Sequence, residues 1–424
     1  MNVQPATSRL RLSNALSHQQ PDRVPVDFGS TAVTGMHVSA VTRLRQRLLG
    51  QDDYLVRVIE PYQMLGEIDD PLRAALGIDV VGVTPRKTIF GTQSGNWKDF
   101  TLFEGTRCLV SGDFNISPAP DGGWLIYPEG DTSVPPSGHM PQGGYFFDAI
   151  VRQDPIDEEK LNPEDNLEEF GLLSEADLAY YRQKKAWLVE HPETGCILVV
   201  PGAAFGDIAL VPAPWMKHTK GIRDIAEWYV STKTRRDYVH AIFEKQCEIA
   251  LQNINTLIDL FGDLVQAAFI TGTDFGTQRG PFISVNAYRD LFKPFHRQVN
   301  DLIHRRSNWK TFIHSCGSVY ALIPDFLDAG FDILNPVQCS ATDMEAPRLK
   351  HEFGDRFVFW GGGVDTQKTM AFGTPDQVYA EVRERIDIFN KKGGFVFNAV
   401  HNIQGNTPVD NIEALFRAIR DSAR

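Results

Sequence analysis

A histidine and a cysteine stand two positions apart in TFIHSCGS (Thr311–Ser318), directly behind an apolar run. On an extended segment, residues i and i+2 face the same side, so His314 and Cys316 address one point. An imidazole and a thiol so placed can hold a metal, pair a nucleophile with its base, or fill a core. Thiolate and neutral imidazole both suit zinc, whose catalytic sites keep three protein ligands and one open position. The third ligand could be His401, near the end of the chain, or Cys339, on the next strand-like run. Cys339 follows Gln338 directly, and adjacent strand residues point to opposite faces. If Gln338 faces the site, Cys339 faces away.

Other polar residues end apolar runs in the same way. TDFGTQRG supplies Asp274, Gln278 and Arg279, a stretch with no hydrophobic role. A structural ion pair between Asp274 and Arg279 is the plain alternative. Asp27, Asp79, Trp360, Asp365 and Asn402 occupy comparable positions, with Trp360 read as rim packing or a substrate contact. Asp22 and Arg23 read as a cap and pair before the first run. Cys196 and Cys247 sit in apolar patterns and read as core. The Gly361–Gly363 run follows a late strand and lacks a phosphate-loop lysine, which argues against a nucleotide site.

The runs that must position these residues number eight: RVPVDFGS, IDVVGV, GCILVVPG, LVQAAFITGTD, KTFIHSCG, FDILNPVQC, RFVFWGGG and GGFVFNAVHN. Short, nearly continuous apolar strands alternating with helical patterns indicate parallel β-structure with crossovers. Eight of them predict an α/β chain folded as a (β/α)8 TIM-type barrel, with its chemistry at the carboxyl ends of the strands. Asp79 is placed there with the others. Helical spacing predicts helices over 154–191, over 284–304 with a kink at Pro294, from a Ser318 cap, and from a Thr374 cap. Residues 87–148 break the alternation with Gly, Pro, Trp and Asp. They predict a β-rich insertion after the second strand, within a single domain spanning 1–424.

A formal net charge of -12 and the lack of a basic tract argue against nucleic acid. No apolar run approaches the ~20 residues needed to cross a bilayer, and the amino terminus has no apolar signal core. Five scattered cysteines do not form a disulfide framework, so a reducing cytoplasm is expected.

Nearly the whole chain resembles the uroporphyrinogen decarboxylase superfamily. The resemblance rests on HQQPDRVPV, the KPFH of Lys293–His296, HSCGS, the late GGFVFNAVHNI and the following NTPVDNI. True uroporphyrinogen decarboxylases carry an arginine-rich segment after the first strand that binds substrate carboxylates. The corresponding Asp27–His37 stretch here holds no arginine. The chain looks instead like the cobalamin-dependent zinc methyltransferase branch, whose zinc motif is His-x-Cys plus a distant cysteine near the last strand. His314 and Cys316 match the first two positions, and His401 stands where the third ligand falls, a departure from cysteine.

The resemblance implies zinc held by His314, Cys316 and His401, with Cys339 as the alternative third ligand. It implies catalysis by Asp274, His314 and Cys316, and substrate contacts from Asp27, Gln278, Arg279, Gln338 and Trp360. A methyl group would pass between a small molecule and a corrinoid (cobalamin) carried by a partner protein, since no corrinoid-binding segment occurs here. A homodimer is also implied. The alternative is a decarboxylase or other lyase acting on a small carboxylic acid.

Overall fold

A computed structural model describes residues 6–423. Its strands, in chain order, begin with a hairpin, β1 (Val56–Glu60) and β2 (Leu65–Gly66), followed by β3 (Val80–Val83). Six short strands come next: β4 (Lys98–Thr101), β5 (Arg107–Val110), β6 (Ile116–Pro118), β7 (Trp124–Ile126), β8 (Gly138–Met140) and β9 (Asp148–Ala149). The remainder are β10 (Gly195–Val199), β11 (Ala267–Thr271), β12 (Lys310–His314), β13 (Ile333–Asn335), β14 (Val358–Trp360) and β15 (Phe395–Val396).

Seven strands form one parallel sheet in the order β15-β14-β13-β12-β11-β10-β3, so strands consecutive in the main series are neighbours. The sheet curls. Its outer strands approach one segment, Pro25–Asp27, from opposite sides. Phe397 N donates to Pro25 O (2.8 Å) and Asp27 N to Phe397 O (2.9 Å), while Asp79 N donates to Val26 O (2.8 Å). Of the run expected as the first strand, Val26 alone makes a ladder-type bridge, to Phe397.

The strands are apolar on both faces because both faces are covered. Val80, Ile197, Ala267, Phe312, Ile333, Val358, Trp360 and Val396 point inward and meet Leu12, Ala15 and Leu16 of the helix Ser8–Leu16. Alternate residues such as Leu198, Ala268, Ile270, Ile313, Leu334 and Phe359 point outward to the helices. The longest of those, Arg236–Phe261, buries Val239, Ile242, Phe243, Cys247, Ala250, Ile254, Leu257 and Phe261 at three- and four-residue spacing. The Ser8–Leu16 helix packs on β3, β10 and β15. Its Arg11 reaches Asp79 Oδ1 at 2.6 Å, and Arg23 reaches Asp79 Oδ2 at 2.6 Å. Asp79 therefore stands before β3, at its amino end. Its expected place among the carboxyl-end residues is corrected: it anchors a buried ion cluster at the opposite end of the sheet.

The glycine- and proline-rich region does form strands, but in two small sheets. One has the order β6-β7-β8-β9; the other, β2-β1-β5-β4, recruits the hairpin from upstream of β3. The β-rich layer thus draws on residues 56–66 as well as the expected insertion. Of the expected helix 154–191, Glu175–Glu190 is helical, opened by a reciprocal Ser174–Asp177 capping box. Before it, Pro155 and Pro163 interrupt the backbone. The 284–304 pattern divides into a short turn, a π-helical segment Tyr288–Phe292 and the helix Lys293–Arg306, with Pro294 in that helix's first turn. Ser318 is not a helix cap, because a 3-10 turn over Tyr320–Leu322 leads into the helix Ile323–Asp328. Thr374 caps Pro375–Phe389 as its sequence implies.

Candidate metal centre

β12 ends on His314, and the four residues that follow have every backbone N–H fixed. Ser315 N donates to Asn335 O (2.7 Å), and Cys316 N to the Asp274 carboxylate (2.6 Å). Gly317 N donates to Gln338 Oε1 (2.8 Å), and Ser318 N to Thr277 O (2.7 Å). Gly317 has φ +83°, and a Cβ there would lie 2.6 Å from backbone atoms of Gly276 and Thr277. Only glycine lets this loop seat against the hairpin after β11.

His314 is oriented by a second side chain. Asn335 Nδ2 donates to Trp360 O (2.7 Å), which leaves Asn335 Oδ1 to accept from His314 Nδ1–H at 2.5 Å. That bond selects the tautomer whose Nε2 lone pair is free. Nε2 lies 3.4 Å from Cys316 Sγ and 3.9 Å from Asp274 Oδ1. From the far side, His401 brings its ring centroid to 6.1 Å from that of His314. Its loop is held through Asn402, whose Oδ1 accepts from Gly35 N (2.6 Å) and whose Nδ2 donates to Ala32 O (2.7 Å) and Gln63 Oε1 (2.9 Å).

One ligand atom each from His314, Cys316 and His401 lies within 4.8 Å of the others. Zinc–nitrogen and zinc–sulfur bonds of about 2.0 and 2.3 Å in a tetrahedron separate N from S by about 3.5 Å. The 3.4 Å Sγ–Nε2 distance is close to that edge. Electrostatics agrees with the geometry. Burial depresses the His314 pKa against the opposing pull of Asp274, and burial takes His401 down to about 4. Both imidazoles are therefore neutral, the form that binds metal. Burial, reinforced by Asp274, pushes the Cys316 thiol well up. A divalent cation at this point supplies the charge that a buried thiolate otherwise lacks. Beneath the trio lies Phe269, half-buried while the neighbouring inward-facing residues are sealed; its ring is 6.5 Å from that of His314.

The remaining expected residues divide. Asp274 lies at the trio, and no Asp274–Arg279 ion pair occurs among the described residues. Gln338 holds the His-x-Cys loop through Gly317. Cys339 packs against the outer core, where burial raises its thiol to about 11, and it is outside the ligand cluster. Gln278 and Arg279 are exposed at the tip of the hairpin bridged by Gly276 and Pro281. Two residues expected to touch substrate are sealed from solvent in this structure. Asp27 is fully buried and accepts from Ser30 Oγ (2.8 Å), and Trp360, also fully buried, donates Nε1 to Asp27 Oδ2 (2.9 Å). They pair with each other inside the sheet, away from solvent. The sequence reading missed Asn335, although a polar residue ending the apolar strand ILN is the same signal that marked the others.

Residues 206–422 match the family described as "Uroporphyrinogen decarboxylase (URO-D)". The methylated-thiol–coenzyme M methyltransferase of Methanosarcina mazei is 26% identical over 251 residues, which is 56% of this chain and 61% of that protein. The chain thus spans about three fifths of the length of the curated relative it matches. A solved structure of a methyltransferase from Methanosarcina mazei superposes with a TM-score of 0.53 at 15% identity, covering 98% of this chain and 99% of that one. That likeness is one of fold.

Proposed function

This chain belongs to the uroporphyrinogen decarboxylase (URO-D) family, and from that premise we propose that it is a zinc-dependent methyltransferase. It would move a methyl group between a small molecule and a corrinoid carried by a partner protein. The observation that carries the reading is the convergence of His314, Cys316 and His401 within 4.8 Å beside Asp274. The similarity to the methanogen enzyme supports it. So does the arginine-free Asp27–His37 stretch, which leaves a polycarboxylate tetrapyrrole without counter-charges and disfavours decarboxylation.

His314, Cys316 and His401 are the residues that would hold the zinc. When bound, it supplies a Lewis-acidic open position that lowers the pKa of a thiol or polarises the heteroatom of a methyl donor. Asn335 fixes the His314 tautomer. Asp274 and Gln338 hold the backbone of the His-x-Cys loop, and Phe269 excludes water from below. The same reading takes Val24–Asp27 as the eighth stave of a closed (β/α)8 barrel and 1–424 as one domain. Residues 87–148 are its insertion. It also implies a homodimer in a reducing cytoplasm; the five cysteines are free and no described helix is long and apolar enough to cross a membrane.

The test is spectroscopic. Zinc-loaded protein is mixed with methylcob(III)alamin and a panel of thiols, and with cob(I)alamin and methyl thioethers or methylamines. Zinc-dependent interconversion of the two corrinoid spectra is the expected result. No conversion in either direction, or turnover of uroporphyrinogen at an enzymatic rate, would overturn the proposal.

A further inference from the structure

Between β10 and the helix Ile225–Thr234 the chain runs through AFGDIALVP, which carries Asp207. The residue is 8% exposed, and its Oδ1 accepts from Ala209 N at 3.0 Å. The other oxygen is located by a missing side chain. A Cβ built on Gly272 would lie 2.9 Å from Asp207 Oδ2 and 3.6 Å from Phe269 Cζ. The carboxyl and the ring tip therefore flank one point on the inner side of the sheet. Phe269 is the half-buried residue beneath the metal trio. Gly272 stands two residues before Asp274, whose carboxylate accepts from Cys316 N. Asp207 thus lies beside Phe269 and Gly272 at the carboxyl end of β11, within electrostatic reach of Asp274, the carboxylate that adjoins His314 and Cys316.

Among the described residues no cation balances it. The charged group acting on Asp207 is Asp274, and Tyr62 from the β1–β2 turn and Tyr229 from the helix Ile225–Thr234 face it as well. Tyr229 is itself committed, its hydroxyl donating to Asp274 O at 2.6 Å. A buried carboxyl with no cation beside it favours its neutral form. Burial, aided by Asp274, raises its pKa to about 7. Proton transfer is most effective when the group titrates near the working pH.

We propose that Asp207 is the proton-transfer residue of this site, exchanging a proton with the substrate heteroatom as the methyl group moves. The proposal rests on the methyltransferase reading above. In demethylation the carbon–heteroatom bond breaks and its electron pair stays on the heteroatom, which takes the Asp207 proton. The methyl group forms its new bond with the electron pair of a reduced, Co(I) corrinoid, leaving Asp207 as carboxylate. In the reverse direction that carboxylate takes the proton of an incoming thiol.

The test compares wild type with Asp207→Asn, both zinc-loaded, using methylcobalamin and free thiols of graded acidity. The variant is expected to bind zinc as wild type does and to lose roughly 100-fold in rate with alkanethiols at pH 7. Little should be lost with thiophenols, which ionise without help. The limb of the pH–rate profile near 7 should vanish. In the substrate-free protein at pH 6, the infrared absorption of protonated carboxyls, to which Asp27 and Glu60 also contribute, should fall by one carboxyl in the variant. If Asp207→Asn fails to fold, Asp207→Glu carries the test by moving the pH limb. Equal losses for both thiol classes, an unmoved pH limb or an unchanged infrared spectrum would overturn the proposal. A wild type inactive with every thiol would instead overturn the methyltransferase reading, and this proposal with it.

Discussion

The smallest unit that decides this site is the hydrogen bond between His314 and Asn335. Histidine ligands depend on the group that holds their other nitrogen, and losing it typically costs 10–100-fold in metal affinity. Asn335→Ala is therefore expected to weaken zinc binding about 10–100-fold, measured by competition with a chromophoric chelator. Asn335→Asp keeps the acceptor and should restore most of it. Equal affinity in all three proteins would show that Asn335 merely ends a strand. At the same scale lies the clearest divide between what residue types reveal and what they hide. His314, Cys316 and His401 are recognisable because few side chains bind metal well. Asp207 was not, because a single aspartate in a loop carries no signal until burial and the gap at Gly272 place it.

Elements deliver these side chains through close backbone approach. The His-x-Cys loop lies against the hairpin after β11 at Gly317 and Gly276, where added atoms would collide with backbone, which cannot rotate away. Gly317→Ala combines that clash with a strained left-handed φ, at about 1–3 kcal/mol for the backbone strain alone. The expected outcome is a lowered melting temperature together with weakened zinc binding. Gly143→Ala, at another positive-φ glycine with open space around it, should leave zinc unchanged. Wild-type zinc affinity in Gly317→Ala would mean that the loop does not position Cys316. The parallel strands were legible because burial on both faces makes them uniformly apolar. The β1–β2 hairpin was not, since VRVIE mixes charge with apolar residues and pairs with β5, about fifty residues downstream. The Asp79 misplacement has a similar cause. A polar residue beside a strand looks the same at either end, and only its partners, Arg11 and Arg23, reveal which.

At the scale of the whole molecule, the interior holds titratable groups whose charge is suppressed. His296 is fully buried, with Tyr288 as its hydrogen-bond partner and a pKa taken down to about 3 by burial; His37 is lowered to about 4 for the same reason. Their folded-state pKa values lie below that of the unfolded chain. The stability they contribute is present above pH 6.5 and is lost as pH falls toward the folded values. By pH 5 each should cost about 2 kcal/mol. Asp27, fully buried, and Glu60, half-buried, are raised by desolvation to about 6 and 7 and act oppositely, contributing stability that is lost as pH rises through those values. Denaturant midpoints between pH 7 and pH 5 should therefore fall less steeply for His296→Gln than for wild type. Parallel curves would contradict the assignment.

The central claim is that the folded chain gathers His314, Cys316 and His401 into one metal centre while Cys339 stays outside it. Zinc content per chain, measured on purified wild type and on Cys316→Ser, His401→Ala and Cys339→Ala, tests this most directly. One equivalent is predicted for wild type and for Cys339→Ala, with sharp loss in Cys316→Ser and His401→Ala while the proteins stay folded. Full zinc occupancy in His401→Ala, or loss confined to Cys339→Ala, would contradict the account.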